Sequence, residues 1–140
     1  MTAKVLLRIA AGAITIFELG HTLGGMIFAQ SHGPEEDTVL EALKAYRFDM
    51  MGSTRSHYAF YMGEGWYLSV TLATMIAICW LLSNAAAESP ALVRRLSLVI
   101  SLFFASSVVL CALFFFPAPL IMSAIASAAC AAAWWRLKTA

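Results

Sequence analysis

Apolar residues run along this 140-residue chain in four long blocks, separated by short polar stretches and one longer loop. The blocks cover about Val5–Ala29, Tyr61–Ser83, Leu96–Phe116 and Ala118–Trp135. Each is continuous rather than alternating and long enough for about 30 Å of helix, the hydrocarbon thickness of a bilayer. Only helices and closed barrels satisfy every backbone polar group inside a membrane. The pattern therefore predicts an all-α integral membrane protein: one domain, a bundle of four transmembrane helices. Pro117-Ala118-Pro119 predicts a tight turn between the last two spans, because proline cannot continue a helix there.

The loop Gln30–Phe60 has a pattern of its own. Pro34 followed by Glu35, Glu36 and Asp37 reads as a helix start, with proline early and acids in the first turn. Val39, Leu40, Leu43 and Tyr46 then recur at helical spacing, predicting a short amphipathic helix over about Glu35–Arg47 that lies on the membrane surface or caps the bundle. His32 beside Gly33 reads as a solvated residue, and 47–52 as a turn back toward the second span.

Composition agrees. Hydrophobic residues make up 61% of the chain and charged residues only 12%, against about half and a quarter in soluble domains. A net charge of +1, with no basic stripe, argues against nucleic acid as a partner. Charge placement orients the chain. Lys4, Arg8, Arg94, Arg95, Arg136 and Lys138 are six of its nine Lys and Arg residues, and all fall on one side of a four-span arrangement. That side is predicted to be cytoplasmic. Both termini then face the cytoplasm, the location is the cytoplasmic (inner) membrane, and 30–60 faces out. Tyr58, Tyr61 and Trp66 mark the outer interface; Trp80, Trp134 and Trp135 mark the inner one. Cys79, Cys111 and Cys130 all lie in apolar blocks without metal or redox spacing and read as packing residues.

The candidate chemistry lies inside the spans. Glu18 and His21 interrupt the first block near its middle, and at 100° per residue they share a face with Thr15, Thr22 and Gly25. A charged group at that depth costs roughly 2.5–3.5 kcal/mol on insertion scales, so the face is predicted to point into the bundle. In the second span His57, Tyr61, Glu64, Leu68 and Thr71 stack on one stripe with Tyr67 at its border. The two faces are expected to meet in the outer half of the membrane. Glu18 and His21 are then candidates for an acid–base pair, with Glu64 a second carboxylate. Arg55, His57, Tyr61, Tyr67, Thr22 and Thr71 are candidates for holding a ligand, Arg55 through an anionic head group. A Glu–His pair that merely registers two helices is the structural alternative. Gly20 and Gly24 form a G-x-x-x-G that admits a neighbouring helix, within the bundle or from a second copy.

Metal readings fare less well. Glu18-x-x-His21 matches one element of di-iron bundles, but the second such element is missing. A haem would need His21 and His57 at matching depth, and zinc would need His21, His57, Glu18 and Glu64 together. No cofactor is therefore expected, with haem and zinc as the alternatives.

The stretches Phe17–Gly24, Arg55-Ser56 and Phe60–Gly65 resemble a family of small bacterial four-span membrane proteins of uncharacterised activity. Its members carry G-H-T-x-G in span one, then R-S and F-Y-x-G-x-G before span two. The resemblance covers the first half of the chain. It implies the four-span fold and marks His21, Arg55 and Glu64 for testing, without an activity. The residues themselves support three readings. The leading one is a polar cavity, open to the outer leaflet, that binds an amphipathic lipid-like molecule and transforms it by proton transfer. The others are a non-catalytic subunit, as a homo-oligomer or in a larger membrane complex, and an oligomeric transporter or channel with a Glu18 relay.

Overall fold

The computed structural model describes residues 1–137. Lys138, one of the charges used to orient the chain, lies outside the described residues. The elements in chain order are α1 (Ala3–Leu19), a π-helix π1 (Gly20–Ile27), α2 (Pro34–Ala45), β1 (Arg47–Met50), β2 (Ser53–Ser56), α3 (His57–Ala85), α4 (Pro90–Phe114) and α5 (Pro117–Arg136). Among the described residues three helices, α3, α4 and α5, are long and apolar enough to cross a membrane. The first apolar block is helical but not uniformly α: it widens from α to π geometry at Gly20. Two compact units result. One contains residues 1–18 with the chain from Leu72 onward, the other residues 19–71.

The first unit is built on close helix contacts. In α1 the buried positions Leu6, Leu7, Ala10, Ala11 and Ile14 follow the 3.6-residue period of a core-facing stripe. Helices α4 and α5 form a hairpin whose facing positions are mostly small: Ser97 and Ser101 on α4, Ser123, Ala126 and Cys130 on α5, all buried. Small residues let the backbones approach, and hydroxyls then bridge them. Ser101 Oγ donates to the Ser127 carbonyl at 3.0 Å, and Ser127 Oγ donates to the Ser101 carbonyl at 2.9 Å. Cys79, Cys111 and Cys130 are free and buried, as packing residues would be.

Two cations of this unit cover tryptophans. Arg8 lies over the Trp80 ring at 4.9 Å and Arg94 over Trp134 at 5.2 Å. Cation–π contact of this kind is worth about 0.5–1 kcal/mol at exposed sites.

The break between α4 and α5 differs from the expected turn. It falls at Phe115 and Phe116, both extended, while Pro117 opens α5. The reason is steric. A proline drives the preceding residue out of helical geometry but suits the first helical position, where its missing N–H is not needed. Pro90 opens α4 in the same way.

In the second unit, α2 runs over Pro34–Ala45, close to the expected helix. Gly33 precedes it with φ +141°, a conformation that favours glycine. Residues 47–52, read from sequence as a turn, belong to an antiparallel hairpin over 47–56 that pairs Arg47 with Ser56 and Phe48 with Arg55. Its two-residue turn places both Met51 (φ 49°) and Gly52 (φ 79°) in the left-handed region, the pattern that suits the right-handed twist of the strands. Strand β2 passes directly into α3. Ser56, buried at the junction, accepts a hydrogen bond from the Ala59 backbone N–H at 3.2 Å, as a helix-capping serine does.

Candidate functional site

The polar residues of the first apolar block meet α3, but not on the expected stripe. His21 Nε2 donates to the Gly65 carbonyl at 2.9 Å. Thr22 Oγ1 donates to Ser69 Oγ at 2.7 Å, and Ser69 Oγ donates to the same Gly65 carbonyl at 3.3 Å. Two side chains, His21 and Ser69, thus meet at one carbonyl oxygen, Thr22 reaches it through Ser69, and π1 is joined to α3 through Gly65 and Ser69. Glu64 and Thr71, predicted to face span one, lie off this contact. Glu64 is exposed, and Thr71 Oγ1 folds back onto the Tyr67 carbonyl of its own helix at 2.8 Å.

The π geometry explains the pairing. A helix closed by i→i+5 bonds carries more residues per turn, so neighbouring side chains diverge less than in an α-helix. The adjacent residues His21 and Thr22 can then both engage α3, at positions one turn apart. The face drawn at 100° per residue does not extend beyond Gly20. Close approach is needed on the other side too: a Cβ on Gly65 would overlap the sulfur of Met26. Gly65 and Ser69 were missed in the sequence. Their signal was a small-x-x-x-small spacing, the same kind already noted at Gly20 and Gly24.

The tautomer of His21 follows from its partner. A carbonyl accepts only, so Nε2 carries the proton. The other ring nitrogen, Nδ1, lies 3.9 Å from the point a Cβ on Gly25 would occupy. Glu18 closes the last turn of α1, half-buried, one turn before His21. Thr15 Oγ1 is returned to the Ala11 carbonyl at 2.8 Å.

The remaining candidates gather at the start of α3, in two groups. His57 stacks on Tyr46 at 5.5 Å, nearly parallel at 9°, and is tilted against Phe48 at 4.9 Å; Phe48 in turn stacks on Phe60 at 5.6 Å. His57 thus pins the hairpin to the helix, each ring pair adding about 0.5–1.5 kcal/mol beyond its buried area. The second group lines a shallow groove of about 450 Å³ formed by Arg55, Ala59, Phe60, Gly63, Glu64 and Tyr67. Residues 60, 63, 64 and 67 share one face of α3. The groove brings together three of the predicted site residues, Arg55, Glu64 and Tyr67. Tyr61 is outside it, 60% exposed and tilted against Tyr58 at 6.5 Å.

Within the groove Arg55 Nη1 donates to the Thr54 carbonyl at 2.9 Å, leaving most of its donors uncommitted. Tyr67 is 77% exposed. A second concavity, of about 500 Å³, lies at the start of α2, lined by His32, Gly33, Pro34, Glu35 and Glu36. There the Glu36 carboxylate accepts from the His32 backbone N–H at 2.6 Å and contacts its Nδ1 at 2.7 Å. These bonds hold the Glu36 carboxyl below the usual carboxylate value. His32, read as merely solvated, is thus part of the helix start although its side chain is 91% exposed.

Among the described residues no three His, Cys, Asp or Glu side chains are grouped so as to hold a metal ion. The zinc set is split, with His21 on the Gly65 carbonyl and His57 between two rings. No family model, curated protein or solved structure matches the chain.

Proposed function

We propose that this chain is a four-span protein of the cytoplasmic membrane that binds an amphipathic, lipid-like molecule in the groove at the outer end of α3. In this reading α1 and π1 together form the fourth span, and both termini face the cytoplasm. Helix α2 lies on the outer surface with the hairpin. The observation that carries the reading is the groove's lining: Arg55 and Glu64 beside Phe60 and Tyr67, on a helix otherwise apolar enough to cross a membrane. Its volume falls within the range of small-molecule sites, about 300–1,000 Å³. Glu64 is the carboxylate that would exchange a proton with a bound molecule. The junction of His21 and Thr22 with Gly65 and Ser69 acts at one remove, holding the α3 backbone next to Gly63 and Glu64.

A photoreactive amino acid at Ala59 tests this. Irradiation in native membranes, followed by intact-mass analysis, is expected to give one discrete small-molecule adduct. The same residue placed at Val70, exposed on α3 outside the groove, should give a heterogeneous set. Indistinguishable adducts at both positions would overturn the reading.

A second reading has its own observation. A Cβ on Gly20 or Gly24 meets no atom within 4 Å, so this bare backbone face is not used to pack any described residue. It suits a helix from a second copy or from a larger membrane complex.

A further inference from the structure

The groove at the outer end of α3 holds one cation and one carboxylate that are not spent on each other. Arg55 is fixed by the hairpin register, opposite Phe48, with its guanidinium turned back to the Thr54 carbonyl. Glu64 lies on α3 seven residues beyond the first helical residue, about 10 Å along the axis. Among the described residues it makes no hydrogen bond or ion pair. Both line the same concavity, with Phe60 and Tyr67. Two opposite charges in one groove at the edge of an apolar span, left apart by the fold, call for a ligand that carries both complements.

Resting on the groove as the binding site, we infer that the ligand is a zwitterionic phospholipid bearing a primary ammonium, of the phosphatidylethanolamine class. Its phosphate accepts from the guanidinium of Arg55, a planar fork suited to bidentate contact with phosphate. Its ammonium donates to the carboxylate of Glu64. The acyl chains continue along the face of Phe60 and Tyr67 into the bilayer, and the Tyr67 hydroxyl is free to bond an ester oxygen. The charge balance selects this class. A head group with zero net charge but two separated charges neutralises both side chains where either alone is costly near hydrocarbon. An anionic phosphatidylglycerol leaves Glu64 without a cation. A choline head group offers a cation but no N–H donor.

The experiment uses the full chain in nanodiscs of equimolar phosphatidylethanolamine, phosphatidylcholine and phosphatidylglycerol. The protein is extracted in mild detergent, and retained lipid is counted by native mass spectrometry. Phosphatidylethanolamine is expected to be enriched about five-fold over phosphatidylcholine, the ratio for one partly exposed charge-assisted contact. E64Q should abolish the preference for ethanolamine over choline while leaving phospholipid retention in place. R55Q should lower retention of all three lipids. Equal retention of the three, or an unchanged preference in E64Q, overturns the inference. A discrete adduct at Ala59 that is not this lipid leaves the groove as a binding site and removes only its assignment. Absence of any discrete adduct removes both. Circular dichroism of E64Q and R55Q establishes that each is folded; both positions are exposed, so neither removes buried packing.

Discussion

The imidazole of His21 donates its Nε2 proton to the backbone carbonyl of Gly65 across 2.9 Å, and this bond, beside that of Thr22 to Ser69, joins the π-helix to α3. Because the acceptor is a backbone atom, no substitution at position 65 removes it. The contact can be tested only from the histidine side and from the packing around it.

H21A should therefore leave the Gly65 carbonyl with bonds from Ser69 alone, the backbone bond of the helix and the longer one from Oγ. The expected loss is about 1 kcal/mol, the net worth of one such hydrogen bond in a membrane or soluble protein. Reversible unfolding in mixed micelles, followed by circular dichroism, measures it. T22V and S69A both remove the 2.7 Å contact between their hydroxyls, so the double variant should cost less than the sum of the two singles. Full additivity of the two would show that the hydroxyls do not act through each other.

Packing at Gly65 yields a second expectation. G65A forces the end of the Met26 side chain to move, and that end is flexible, so the cost should be small, under about 1 kcal/mol. M26A in the same background should recover most of it. G65L cannot be accommodated in this way and should separate π1 from α3, seen as loss of hydrogen-exchange protection over 20–27. G24L, with no atom within 4 Å of the new Cβ, should not change unfolding of the single chain. A shift in its oligomeric state by analytical ultracentrifugation would identify the glycine face as an interface.

The hairpin turn depends on left-handed backbone at two residues. G52V should destabilise the hairpin by about 1–2 kcal/mol, since a β-branched residue is strained at φ 79°. M51N should stabilise it slightly, because asparagine tolerates the left-handed region better than methionine. Hydrogen exchange over 47–56 reads both, and limited trypsin cleavage at Arg47 and Arg55 provides an independent measure.

The start of α2 has a pH dependence with a defined sign. Two hydrogen bonds from His32 lower the Glu36 carboxyl below its ordinary value of 4.5. A group with a lowered folded-state pKa contributes stability above its unfolded value and loses it as pH falls through the folded value. The contact should therefore be intact at neutral pH and disappear only below about pH 4.5. NMR titration of the Glu36 side chain should give a midpoint under 4.5, and E36Q should remove the acid-side transition. A midpoint at or above 4.5 would show that the bonds from His32 are not formed in solution.

Much of the secondary structure was legible from hydrophobic pattern and capping alone. The apolar blocks are helical, and α2 begins at the proline and acids that announced it. The α4–α5 break moved by two residues because proline acts on its predecessor as well as on itself. The hairpin was not legible: Arg47–Ser56 lacks alternating apolar residues, and its turn carries methionine where asparagine or aspartate would have signalled a two-residue loop. The candidate site was legible in residue type but not in partnership. Arg55, Glu64 and Tyr67 do share a groove, whereas His21 and Thr22 found Gly65 and Ser69 instead of Glu64 and Thr71.

By itself the sequence determined that this chain is helical and suited to a membrane, because hydrophobicity over about twenty residues and the demand for internal backbone hydrogen bonds leave little choice. It also determined which polar residues would be conspicuous there. Tertiary structure decided which of them meet. That outcome turns on the angular offset between neighbouring side chains, and the switch from α to π geometry at Gly20 changes that offset through backbone hydrogen bonding that hydrophobic periodicity does not record.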